Sequence, residues 1–392
     1  MITVKEVSTR RENKLFVTFP DRLYKDNPYY VPGFKSDDYS DWNKKDNPAF
    51  SYCDVKRFLA WRDGEVVGRI AAILSHRANE KWGTSRMRFS SVDFIDDREV
   101  SAALFEAVEC FAREKGCKEI HGPLGFTDLD REGLLIDGFE EKGLFFTYYN
   151  APYYKEHIEA LGYGKDVDWV ELLLECPPAD AKEMTLLKRV AERAERQHGF
   201  HVAPIKNNRG FKPYIERAFE LVNAAYGDLY GTVPLDEAQV KRYAKKFVPL
   251  VDPDFACIVL SEAGVPVGFG ATAPNLSDAF RKTGGKLFPF GWISTLWALK
   301  HPKMVDLFLI AVLPEYQNKG INAIIINHIF KNACRRGILG AETGPQLEEN
   351  EKVLSQWKML VRRQHKRRRC FIKQLTDGAI DASGNETEDK GE

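Results

Sequence analysis

The sequence predicts an α/β (α+β) protein built from two similar halves, and three observations carry that expectation. An unbroken apolar segment, Leu307 to Val312, ends in a polar, glycine-containing turn that feeds straight into Ile321 to Cys334. The first has the composition of a buried strand, and the second repeats its apolar residues at helical spacing. Each half also holds two short apolar runs around a tight turn: Phe58 to Ala60 and Val66 to Leu74 around Asp63-Gly64, then Ala256 to Leu260 and Val265 to Ala271 around Ala263-Gly264. These read as hairpins. Finally, the order strand, helix, strand at Met87 to Phe94, Val100 to Lys115 and Cys117 to His121 recurs at 304–312, 321–335 and 337–342.

The remaining elements follow the same repeat. The first half closes with a helix at Tyr153 to Tyr163 and a strand at Trp169 to Leu174. Cys176-Pro177-Pro178-Ala179-Asp180 marks the boundary, since two prolines end a strand and an acid opens the next helix, 181–198. The expected domains are therefore 1–177 and 178–376, with 377–392 a small, polar, acidic tail expected to be disordered. The second half closes with a helix at Glu351 to Leu360 and an apolar strand Cys370-Phe371-Ile372. Between these lies the strongest charge run, Arg362 to Arg369, expected to be a solvated connection. A parallel pair joined by a right-handed helical crossover is expected at the centre of each half.

Composition narrows the functional classes. Lysine plus arginine and aspartate plus glutamate each number 57 in 392 residues, so no global field draws the chain to nucleic acid or membrane. The start, Met1 to Glu6, carries no apolar signal core, and no run approaches a membrane span. Seven cysteines without CxxC spacing read as reduced thiols, and the expected compartment is the cytoplasm. HExxH, zinc-spaced Cys/His pairs, GxSxG and Walker patterns do not occur, so no metal is expected and serine or P-loop chemistry is disfavoured.

The turn before Ile321 places unpaired backbone N–H groups and the positive end of a helix dipole together, an arrangement that favours an anion. Gln317, Gly320 and Asn322 there resemble motif A of the GNAT superfamily of N-acyltransferases, in which Gln or Arg, two residues, Gly, one residue and Gly or Ala wrap the pyrophosphate of an acyl-coenzyme A. Asn322 departs from that pattern, and Ala323 follows it. Pro314-Glu315 before the Gln also fits the family, and Tyr148 to Tyr154 with Gly122 to Phe126 resemble segments of bacterial two-domain GNAT-like proteins, a likeness that covers nearly the whole chain. The resemblance implies a tandem GNAT fold of mixed central sheets flanked by helices. It further implies acetyl-CoA or a longer acyl-CoA as cosubstrate, held by Ile310, Ala311 and Val312 on the strand and by Gln317, Asn318, Lys319, Gly320, Ile321, Asn322 and Ala323 in the turn. In the first half the turn position holds Asp96-Asp97-Arg98-Glu99, whose carboxylates would repel a pyrophosphate, so only the second half is expected to bind the cofactor.

The resemblance also places Asn350 and Trp357 at the cofactor: Asn350 matches the residue that opens the family's next helix, while Trp357 stands where many members place a general-acid Tyr. Asp306 stands where the histone-acetylating branch carries its basic Glu, and Glu342 ends the next strand beside an expected splay. Both are candidates for the base that an ammonium acceptor requires. For the acceptor, Tyr149 and Tyr153 in a cluster of phenols are candidates, as are Phe290 and Trp292 in the aromatic insertion 272–297, which should plug a core or line an apolar pocket. The implied activity is acyl transfer, acetyl first among the options, to a small-molecule or peptide amine by direct attack. The competing readings are a noncatalytic acyl-CoA sensor, favoured by Trp357 and Asn322, and an aminoacyl-tRNA-dependent transferase of the peptidoglycan type.

Overall fold

A computed structural model describes residues 1–375, and the expected tail at 377–392 lies outside the described residues. The first half supplies strands β1 (Thr3–Glu6), β2 (Cys53–Arg62), β3 (Glu65–Ser75), β4 (Arg86–Phe94), β5 (Glu119–Gly122), β6 (Leu134–Asp137) and β7 (Gly164–Glu175). The second supplies β8 (His201–Val202), β9 (Cys257–Leu260), β10 (Pro266–Pro274), β11 (Met304–Val312), β12 (Gly340–Thr343), β13 (Gln346–Leu347) and β14 (Val361–Gln374). Local chemistry explains the hairpins: Asp63 and Gly64 take φ of +51° and +84°, the left-handed pair that lets β2 return as β3 with Arg62 opposite Glu65. Each half then carries a parallel pair joined by a helix, β4 to β5 through Arg98–Glu114 and β11 to β12 through Ile321–Arg335. This is a mixed sheet flanked by helices, as expected.

The strands form one continuous sheet, ordered β1-β2-β3-β4-β5-β14-β7-β12-β11-β10-β9-β8, and the closing strands are exchanged. Phe371 to Gln374 of β14 pair with Gly122 to Glu119 in the first half, while Leu173 to Glu175 of β7 pair with Glu342 to Gly340 in the second. The two exchanged strands lie antiparallel to each other from Val361↔Leu174 to Ile372↔Gly164. Each half nevertheless keeps its own core, centred on Phe89, Leu104 and Phe371 in the first and on Val259, Ile325 and Phe330 in the second. A third apolar cluster joins them, where Phe280 packs against Phe34 and Phe145 at ring-centroid distances of 4.4 and 5.3 Å.

The charge run does not form a solvated connection. Residues 361–374 are one strand, and alternation drives Lys366 and Arg368 inward, each 1% exposed. They are tolerated there because buried Glu171 meets both and Glu342 meets Lys366. Their outward neighbours Arg367 and Arg369 pair with Asp168 at 3.0 and 2.8 Å.

Candidate active site

Strand β11 changes partner halfway along its length. Met304 to Leu307 lie parallel to Gly340 to Thr343, but Gly344 and Pro345 turn the chain away and Gln346-Leu347 pair instead with Val170 and Trp169. Beyond Leu307 the two strands splay, opening a cavity of about 150 Å³ lined by Ile310, Tyr226, Trp169, Asn350 and Trp357 among others. The expected splay beside Glu342 is therefore present. Two of the residues assigned to the cofactor, Asn350 and Trp357, come together with Ile310 on this wall. Asn350 caps the short helix Glu351–Ser355 by accepting from the Val353 N–H at 3.2 Å. Trp357 is buried, and its indole N–H finds no partner among the described residues.

The main chain of Ile310 is not free. The Tyr226 hydroxyl donates to the Ile310 carbonyl at 2.7 Å and lies 3.3 Å from the Ile310 N–H, which donates to it. Burial pushes that phenol up to about 12, so it stays protonated and keeps this double contact near neutral pH.

The turn above the splay begins the long helix. Asn318 and Gly320 take positive φ of +61° and +83°, and Gly320 is the N-cap of Ile321–Arg335, with no side chain capping it. Gln317, Asn318, Lys319 and Asn322 are exposed, and the Lys319 ammonium rests 4.9 Å from the centre of the Tyr316 ring. The equivalent helix of the first half is closed differently: Asp97 caps it through the Glu99 N–H at 2.9 Å and pairs with Arg62. One helix start thus carries its own anion and the other does not. Gly320 has a further constraint. A Cβ there would meet the Ala194 Cβ at 2.6 Å, because helix Lys182–His198 packs against the turn. The bare α-carbon faces that helix.

A second cavity, of about 230 Å³, adjoins the splay and shares with it Asp128, Glu132, Phe308 and Gly344. Its wall is largely aromatic and aliphatic, with Phe211, Phe219, Val222, Phe247 and Phe269 from the second half. The two carboxylates come from a first-half loop held by its neighbour Asp130, which accepts from the Phe126 and Thr127 N–H groups at 2.9 and 3.2 Å and from the Tyr243 hydroxyl at 2.9 Å. Asp128 and Glu132 make no side-chain hydrogen bond or ion pair to another residue among the described residues. Burial, offset in part by Asp128's own backbone N–H and then by Arg88, pushes Asp128 up to about 6, and burial together with Asp128 holds Glu132 well above the usual carboxylate range. Neither was expected from the sequence. The dense acidic string after Phe126 was their one local signal, and only the fold reveals that it faces the other half.

Asp306 and Glu342 are brought together, opposite each other across the parallel pair, but neither lines either cavity. Asp306 is fully buried, with one oxygen accepting from the Asn275 amide at 2.7 Å and the other unpartnered. Burial first, and Glu342 second, raise it well above its ordinary value. Glu342 is held by Lys366 and lies 3.3 Å from the His365 ring. Burial alone would raise Glu171, but Arg368 and Lys366 outweigh it and hold this carboxyl down at about 2. Glu171, Glu342 and His365 lie close enough to share a metal ion, as do His121, Asp166 and Cys370. In the first set the Lys366 ammonium already lies between the carboxylates, so a metal would have to displace it.

The four acceptor candidates lie elsewhere. Tyr149 is a core residue whose hydroxyl accepts from Asn27 at 2.8 Å and donates to the Phe139 carbonyl at 3.2 Å. Tyr153 donates to the Phe94 carbonyl at 2.5 Å. Both hydroxyls are consumed by the first half's own packing. Phe290 and Trp292 are exposed and line no cavity described here, so the aromatic insertion neither plugs a core nor lines a pocket with these side chains. The insertion does fill a core through other residues, Leu276, Ala279 and Phe280, while Ala298 and Leu299 seat the inner face of the helix Gly291–Lys300 and leave the two rings outside.

No family model matches the chain. It is 28% identical over 378 residues to Protein YghO of Escherichia coli (strain K12), covering 95% of both chains. It is 28% identical over 304 residues to a protein named bacterial ceramide synthase from Caulobacter vibrioides (strain NA1000 / CB15N), covering 76% of this chain and 77% of that one. Among solved structures it resembles a tandem GNAT protein from the clavulanic acid biosynthesis pathway, with a TM-score of 0.55, 11% identity and coverage of 95% and 98%.

Proposed function

From the premise that the chain has the tandem GNAT fold, we propose that it is an acyl-CoA-dependent N-acyltransferase acting on a substrate with a long apolar chain. The observation that carries this reading is the pair of joined cavities. One lies in the splay of strand β11, which leads into an uncapped helix start, and the other is an apolar chamber with two carboxylates at the junction that pair with no other residue. The amides opening Ile321–Arg335, with Lys319, would hold the pyrophosphate. When bound, the cosubstrate supplies a thioester carbonyl as electrophile.

The residues of the chain do the rest. Asp128, with Glu132 beside it, takes a proton from the acceptor ammonium, since only the free amine attacks. The C–N bond forms as the C–S bond breaks, the new amide nitrogen gives its second proton to solvent, and the leaving thiolate takes one from solvent, because the indole N–H of Trp357 is too weak an acid to supply it. The apolar chamber aligns the chain of the acceptor or of the acyl group, and holding both partners in reacting geometry removes much of the entropic barrier. An acetyl group alone would leave that chamber without a function. The relative named bacterial ceramide synthase supports a lipid-like substrate, such as a long-chain amino alcohol.

The test is a thermal-shift series with CoA, acetyl-CoA and palmitoyl-CoA, followed by thiol release with short and long-chain amines. A larger shift with palmitoyl-CoA and release that depends on a long-chain amine are expected. No shift with any thioester overturns the reading. Binding without release across the amine panel favours a sensor, the alternative to which Trp357 and the Tyr226 contact lend support.

A further inference from the structure

Fourteen large apolar side chains are strongly exposed among the described residues, and six of them fall within one short stretch: Phe288, Phe290, Trp292, Ile293, Leu296 and Trp297. Phe288 is 80% exposed, Trp297 62% and Ile293 51%. Scattered exposed apolar residues are ordinary, but a contiguous set of this size on one helix and its lead-in marks a contact surface. The helix is Gly291–Lys300, and its opposite face is already seated, with Ala298 and Leu299 packed on a cluster that includes Phe146 and Phe308. Those two aromatics also line the larger cavity.

All but one of the charged residues of the segment 277–303 itself are cations. Arg281, Lys282, Lys286, Lys300 and Lys303 are all exposed, and none forms an ion pair among the described residues. The single acid from residue 277 to 303 is Asp278, which is paired with Lys142 at 2.7 Å. The Trp292 indole N–H donates to the Pro289 carbonyl at 3.2 Å, so that ring can leave water without stranding its polar group. Aromatic and aliphatic tips surrounded by unpaired cations match a lipid headgroup layer, where rings sit at the acyl boundary and ammonium groups meet phosphates.

We propose that this face docks the protein on an anionic bilayer. Phe288, Phe290, Trp292, Ile293, Leu296 and Trp297 enter the interface while the five cations contact lipid phosphates. No helix among the described residues is long and apolar enough to cross a membrane, so the attachment is peripheral. The underside of the docking helix is one layer from the apolar cavity, which puts a lipid-facing surface beside a lipid-sized chamber. The docking stands on the surface itself and is read without any acyl transfer.

The experiment is co-sedimentation of the full chain with vesicles of phosphatidylcholine containing 30% phosphatidylglycerol, alongside pure phosphatidylcholine. Most of the protein is expected to pellet with the anionic vesicles, at least fivefold more than with the neutral ones, and to be released at high salt. Ile293→Asp/Trp297→Asp and, separately, Lys300→Glu/Lys303→Glu should each lower the pelleted fraction at least threefold. Both changes lie on the surface, so an unchanged thermal midpoint confirms that the fold is retained. Wild-type protein remaining in the supernatant with anionic vesicles overturns the proposal. So does pelleting of both variants to the same extent as the wild type, or a sedimentation-velocity result in which the patch is buried in a dimer that Ile293→Asp/Trp297→Asp dissociates.

Discussion

The Tyr226 hydroxyl holds both main-chain groups of Ile310, 2.7 Å from its carbonyl and 3.3 Å from its N–H, on the stretch of β11 that the splay leaves unpaired. Any ligand that pairs with that edge has to displace a phenol first. Tyr226→Phe is therefore expected to tighten CoA binding three- to tenfold, because the strand is left with an unmet donor and acceptor that a ligand amide can satisfy. Calorimetry with CoA reads the change directly, and weaker binding would mean that the hydroxyl itself contacts the ligand.

The start of helix Ile321–Arg335 separates affinity from stability. Asn322 is exposed in the first turn, where a carboxylate interacts well with the helix dipole but repels a bound pyrophosphate. Asn322→Glu should lower CoA affinity at least tenfold by calorimetry while leaving the thermal midpoint unchanged or slightly higher. Unchanged affinity would remove the pyrophosphate from this turn.

Gly320 answers to a different constraint. Its φ of +83° and the Ala194 Cβ, 2.6 Å from any added methyl, both oppose a side chain. Gly320→Ala should cost about 2 to 4 kcal/mol of stability. Urea unfolding measures this, and a cost below about 0.5 kcal/mol would show that helix Lys182–His198 yields readily at this contact.

Asp128 links activity to stability through pH. Its carboxyl is raised from 3.8 to about 6, so the folded state binds the extra proton between those values and loses stability as pH rises through that window. Above pH 6 the cost is roughly 2 to 3 kcal/mol. Asp128→Asn should accordingly be more stable than wild type at pH 8, with the difference vanishing below pH 4. In kinetics the rise of kcat/KM through pH 6 should disappear and turnover should fall at least a hundredfold, with CoA affinity unchanged. Wild-type turnover at every pH would exclude Asp128 as the base.

Local sequence carried much of the fold. Asp63-Gly64 specified a hairpin that exists, the periodicity of Ile321 to Cys334 marked the helix Ile321–Arg335 to within one residue, and the apolar run Leu307 to Val312 marked the later part of the strand Met304–Val312. What escaped was decided at long range. Lys366 and Arg368 look solvated until Glu171 and Glu342 are placed opposite them, and Asp128 looks like a loop acid until its loop meets Phe308 of the other half. The rings of Phe290 and Trp292 suggested burial, because side-chain chemistry alone does not tell a core face from an exposed one.

The trade of closing strands also sets the order in which a newly made chain can mature. Strand β5 is complete once residue 122 has been synthesised, yet its neighbour spans Phe371 to Gln374. During translation that edge of β5 stays unsatisfied until residue 374 has left the ribosome, and an unsatisfied edge is a template for aggregation. Severing the peptide after Pro177 would leave two fragments, each lacking the ribbon that seals it. Mixed together, those fragments should recover a native-like particle that neither reaches alone.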